Sequence, residues 1–186
     1  MRAATPLVIS AGIVLLAGGT VGVAARHSVP KRASIIVVPS RYDGHVVETG
    51  DVKVSFSDGH TEVWTHTGDC YNVKVSAEGN VGWIRIDKRS IDLGRMIVVG
   101  KDFLVVRRLN GTTKEFPPFD ENVHIMDWRF AGDAAVTIRS MGYHGPSSFV
   151  QYNLASGKII DSRGPSYTPY ADLPNWAKSL ADPKLD

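Results

Sequence analysis

Cysteine occurs once in the 186 residues, at Cys70, which excludes an intramolecular disulfide framework and any multi-cysteine zinc or iron–sulfur site. Net charge is nearly absent: 21 Lys and Arg against 19 Asp and Glu leave a formal +2 at pH 7. A dedicated nucleic-acid binder carries a strong basic excess, so nucleic acid is not an expected partner. Helical periodicity is also scarce. After the first residues only Leu173–Leu180 shows a short helix-like pattern, with Pro174 suited to a first helical turn. No catalytic signature of fixed spacing occurs, and neither a cofactor nor a metal is expected. What the chain does have is apolar material: 43% hydrophobic residues, including 4 Trp, 6 Tyr and 6 Phe. That suffices for the core of one domain and excludes a wholly disordered chain.

Met1–Ala25 stands apart from the rest. Arg2 precedes an apolar run, Leu7–Ala17, and small residues follow at Val23-Ala24-Ala25. This is the three-part plan of a secretory signal peptide, with cleavage expected after Ala25. The uncharged run Leu7–Ala25 also approaches the roughly 20 residues that span a bilayer, so residues 7–25 could instead remain as a membrane anchor. Arg26, Lys31 and Arg32 on one flank and Arg2 on the other leave the positive-inside rule undecided. Both readings place the body of the chain outside the cytoplasm, in a bacterial periplasm or anchored to the inner membrane. Residues 26–34 then read as a polar, basic linker, and 35–186 as the folded domain.

From Ile35 the pattern is that of strands. Val52–Phe56 alternates apolar and polar residues, turns at Asp58-Gly59, and resumes over Thr61–Thr65. Val73–Val75 leads through Glu78-Gly79-Asn80 to Val81–Ile86, and Met96–Val99 through Gly100-Lys101-Asp102 to Phe103–Val106. Asn110-Gly111 turns toward Thr113–Phe116, Ala131-Gly132-Asp133 joins two more strands, and Ala155-Ser156-Gly157 joins the last pair. Strands at about 8–12-residue spacing with glycine-bearing turns indicate an all-β sandwich, barrel or propeller.

Val75–Ile84 and Trp128–Thr137 share one plan, with Gly79 aligned on Gly132, and Val54–Gly59 is a weaker copy. Gln151-Tyr-Asn-Leu-Ala-Ser-Gly-Lys158 closes the last copy. These phrases resemble the four-stranded repeats of TolB-like and WD-repeat β-propellers. Closed propellers use about four to eight blades, and this chain supplies about three. The resemblance therefore implies an open stack of blade-like antiparallel hairpins or a twisted sandwich, ending in a short C-terminal helix. Self-association is the other route that would protect open edges.

Several constellations could carry chemistry. His60, Glu62, Trp64 and His66 share one face of a strand. The first and last are about 20 Å apart when extended, too far to share a metal, so a solvated polar face is expected. His66 close to Asp69-Cys70 invites a nucleophile reading, against which stands the habit of free cysteine to be buried and inert. The four Trp residues read as packing groups, with a sugar-stacking platform as the alternative. Gly142–Ser148 is the most distinctive loop: Tyr143 and His144 are bulky groups among small ones. Tyr143, His144, Gly145 and Ser147 are accordingly the expected binding residues. The expected function is non-enzymatic binding of another protein or an envelope component. The alternatives are an envelope hydrolase using His66, Cys70, Asp127 or His144, and a binder of carbohydrate or another small ligand.

Overall fold

The alternation becomes eleven antiparallel strands in the computed structural model, which describes residues 28–37, 48–91, 97–120, 123–142 and 145–181. In chain order they are β1 (Pro30–Val37), β2 (Gly50–Phe56), β3 (Thr61–Val63), β4 (Cys70–Val75), β5 (Val81–Ile91), β6 (Ile97–Arg107), β7 (Thr113–Phe116), β8 (His124–Ala131), β9 (Ala135–Met141), β10 (Ser147–Asn153) and β11 (Ile159–Arg163). A 3-10 turn at Tyr170–Asp172 and the four-residue helix α1 (Asn175–Lys178) follow. Seven strands make the first sheet, ordered β1-β2-β4-β5-β6-β7 with β3 paired to β2. The second is a meander, β11-β10-β9-β8. The register joining β2 to β4 is the single pair Gly50–Cys70.

Side-chain alternation distributes the strands over layers. On β5 and β6, Val81, Trp83 and Val105 pack with Val52, Val54 and Cys70 from β2 and β4. The intervening Ile84, Leu104 and Val106 pack with Ile125, Trp128, Val136, Ile138 and Val150 of the second sheet. The centre of the first sheet is thus buried on both faces, which is why its strands carry apolar residues at successive positions. The opposite face of the second sheet is covered by the C-terminal segment, where Leu173, Ala177 and Leu180 pack on Phe149. A bulge in β4 adapts the layers to each other. Asn72, at φ 48°, interrupts the β4–β5 register between Tyr71 and Lys74. Both of those side chains reach the second sheet: Tyr71 donates to the Ile125 carbonyl at 3.2 Å, and Lys74 pairs with Asp127 at 2.7 Å.

Three sequence expectations change. Pro30–Ser34, read as linker, belongs to β1 and pairs with β2, with Ala33 opposite Val54 and Ser34 opposite Lys53. A leading proline and exposed basic residues are what an edge strand tolerates, and by composition such a strand looks like a linker. Gly100-Lys101-Asp102 is not a turn. β6 runs straight through it, paired with Lys88, Asp87 and Ile86 of β5. The helix is shorter than the pattern, with Pro174 at its N-cap and Asn175 as its first residue. Met1–Ala25 lies outside the described residues, and no helix among those described is long and apolar enough to cross a membrane.

Gly79 and Gly132 do sit in the β4–β5 and β8–β9 turns, both left-handed at φ 87° and 62°. Their surroundings differ. A Cβ on Gly132 meets nothing within 4 Å, whereas one on Gly79 falls 2.5 Å from Val29 Cγ1. Gly132→Val is expected to lose about 1–3 kcal/mol from backbone strain alone. Gly79→Val is expected to lose more, because Val29 and Pro30 must also move. Urea unfolding of the two variants checks the ranking, and equal losses would contradict it.

Candidate functional site

β9 and β10 each present two faces. Val136, Ile138 and Val150 point into the core between the sheets. Ser140 and Ser148 share that face by alternation, and their buried hydroxyls bond each other at 2.9 Å. Arg139, Met141, Ser147 and Phe149 alternate onto the other face, under the C-terminal segment. There Arg139 Nε donates to Ser147 Oγ at 3.0 Å, and its Nη1 donates to the Leu180 carbonyl at 3.2 Å. One guanidinium thus ties β9 to β10 and to the segment that crosses them. Between them lies a groove of about 180 Å³, lined by Arg139, Met141, Phe149 and Leu173, by Gly145-Pro146-Ser147, and by Ser166-Tyr167-Thr168. Tyr167 is 84% exposed at its rim. The volume is on the scale of an apolar cavity of about 150 Å³ that binds benzene, room for one side chain or a small-molecule fragment.

The expected binding residues divide as follows. Gly145 and Ser147 line this groove, while Tyr143 and His144 lie outside the described residues. Ser147 is not at a loop tip: it opens β10 opposite Met141, and its hydroxyl is engaged by Arg139. Arg139, Tyr167 and Thr168 were not singled out by the sequence. The available signal was a charged residue, Arg139, directly after the run Ala135–Ile138. It became meaningful only when the distant C-terminal segment covered its face.

Among the described residues, those weighed for catalysis do not converge, and His144 lies outside them. Cys70 is buried among Val52 and Val54, and burial pushes its thiol up to about 11, so it is protonated at neutral pH. His66 is exposed. Asp127 accepts from Lys74, from Asn72 Nδ2 at 3.1 Å and from the Trp128 amide at 2.8 Å. Burial pushes its carboxyl up, but these donors outweigh it and the net shift is downward. Around His60 the polar face is solvated. Its Nδ1 lies 2.5 Å from Asp58 and its Nε2 3.4 Å from Glu62, and the bond to Asp58 leads in raising its pKa. No group of three metal-binding side chains occurs among the described residues. The tryptophans are packing groups: Trp128 is fully buried, Trp83 meets Trp64 edge-on at 6.4 Å, and Trp176 Nε1 donates to Asp161 at 2.9 Å.

A second polar cluster joins the sheets. Asp102, only 2% exposed, accepts from the Ile125 amide at 2.9 Å and from the Tyr71 hydroxyl at 3.2 Å, with His124 Nδ1 at 3.3 Å. Asp102 raises the His124 pKa, chiefly through this hydrogen bond. Burial, then the Asp102 charge, raises that of Tyr71. A buried carboxylate holding an imidazole can store a proton. Among the described residues, however, no hydroxyl or thiol bonds His124, and the four groups come from three strands that they fasten together. Where the turns of the two sheets meet, a wider depression of about 580 Å³ includes Glu78, Asn80 and Arg108. Its groups are already engaged: Asn80 accepts from the Leu109 amide at 3.1 Å, and a bond to Asp133 raises the Glu78 pKa. The groove beside Arg139 is therefore the better candidate. No family model, curated protein or solved structure matches the chain.

Proposed function

We propose that this chain is an exported β-protein that binds another protein or an envelope component through the groove beside Arg139. The carrying observation is the groove itself: an apolar floor, one guanidinium and an exposed tyrosine at its rim, in a volume suited to one projecting side chain. Apolar area with a few placed polar groups is the composition of recognition surfaces. Export is supported by the apolar run Leu7–Ala17 followed by small residues. An open stack of about three blade-like units is supported by recurring turns. Gly79 and Gly111 bracket one four-strand meander, and Gly132 and Gly157 the next, all at positive φ. Packing of Leu173, Ala177 and Leu180 on Phe149 favours an open stack over a ring, because the C-terminal segment occupies the face on which a next unit would stack.

The test is capture of binding partners from the native envelope by tagged wild type and by Tyr167→Ala/Thr168→Ala, after circular dichroism shows both folded. A partner retained by wild type and reduced at least about tenfold by the double variant is expected, the loss typical of a binding hot spot. Equal retention would remove the groove as the site. A fusion of residues 1–40 to a reporter active only outside the cytoplasm tests export.

A further inference from the structure

We infer that the groove is built for the carboxy-terminal residue of a polypeptide partner, with its carboxylate on Arg139 and its side chain on the apolar floor. The inference rests on the recognition reading above and adds the chemistry of what is recognised.

Arg139 is the one charged side chain lining the groove among the described residues, and no acidic side chain lines it. Its two bonded acceptors, a serine hydroxyl and a backbone carbonyl, are both neutral. Several other cations have anionic or aromatic partners: Lys74 has Asp127, Arg85 has Glu115, and Arg107 lies 4.4 Å from the Trp64 ring centroid, whereas Lys114, like Arg139, donates to a backbone carbonyl, that of Ala155. A guanidinium with five donors, two of them engaged, keeps donors for a carboxylate in fork geometry. Beside it the surface turns apolar at Met141, Phe149 and Leu173. A ligand must therefore present an anionic end and a small apolar body together. A carboxy-terminal aliphatic residue does so in one unit. An internal Asp or Glu brings the charge without the apolar body. A free amino acid brings an ammonium for which the groove offers no acid among the described residues.

The experiment is fluorescence anisotropy of the full chain with labelled Gly-Ser-Gly-Ala-Leu, ending either in a free carboxylate or in an amide. Carboxylate binding about tenfold or more tighter than amide binding is expected, the scale of a charge-assisted hydrogen bond. Arg139→Gln should bring the two peptides level, and Arg139→Lys, which keeps the charge but not the fork, should fall between. Because Arg139 also holds Leu180, Tyr167→Ala serves as a variant outside that tie. It should weaken the carboxylate peptide while leaving thermal unfolding unchanged. Equal affinities for the two peptides, no binding of either at millimolar concentration, or full affinity in folded Arg139→Gln each overturn the inference. If Tyr167→Ala/Thr168→Ala loses the envelope partner while the peptides show no carboxylate preference, the groove stands as the binding site and only its ligand chemistry is wrong.

Discussion

Gly82→Ala is expected to lower stability by about 1–3 kcal/mol, the range for forcing atoms into a filled core. At roughly 2–4 °C per kcal/mol for a chain of this size, the melting temperature falls by several degrees. The cause is one close approach. A Cβ on Gly82 would sit 2.5 Å from Trp128 Cη2 and 3.1 Å from its Cζ2. The indole cannot swing aside freely, because it is fully buried and its Nε1 donates to the Asn72 carbonyl at 2.8 Å. Trp128→Phe in the Gly82→Ala background removes the crowded ring edge, so the double variant should lose less than the sum of the singles, a non-additivity that a thermodynamic cycle reads directly. Gly145→Ala is the control: a Cβ there meets nothing within 4 Å. Unchanged unfolding of Gly82→Ala would mean the two sheets do not approach through this position.

Asp102→Ala is expected to cost about 2–3 kcal/mol, because it strips a buried acceptor from the Ile125 amide and from Tyr71 and leaves a backbone donor unsatisfied between the sheets. The same site predicts a pH dependence. The folded-state pKa of His124 is raised above the ordinary 6.5, chiefly by its bond to Asp102. A raised histidine pKa adds stability that is full below the unfolded value and is lost as pH rises through the folded one. Stability should therefore decline from about pH 6 toward and past that folded value. The decline should be smaller in His124→Gln and in Asp102→Asn. Urea unfolding at successive pH values measures it, and identical pH profiles for wild type and both variants would exclude His124 from the stabilising network.

How much of this was legible in the sequence depended on the range over which each feature is encoded. Val52–Phe56 and Thr61–Val63 announce a hairpin because side chains alternate every second residue and Asp58-Gly59 supplies the turn. Gly79, Gly111, Gly132 and Gly157 announce turns because glycine reaches positive φ without strain. Both signals are local, and so the β class and these glycine turns follow from the chain alone. Gly145 and Ser147 were legible as candidate binding residues for a similar reason, since small residues and Pro146 interrupt the alternation between two strands.

Gly100 shows where local reading stops. A glycine within an apolar run suits a turn or a strand equally, and eleven paired residues of β5 made it a strand. Gly82 and Trp128, or Asp102 and His124, say nothing of each other in the sequence, because they meet only when the second sheet packs on the first. Arg139 became a candidate recognition residue only when a segment ending some forty positions later crossed its face and bonded it at Leu180. The sequence determined the β class and the turns at left-handed glycines, because φ preferences and a two-residue period act between neighbours. The tertiary structure alone decided layer contacts, the buried carboxylate and the groove, because these depend on which surfaces exclude water together.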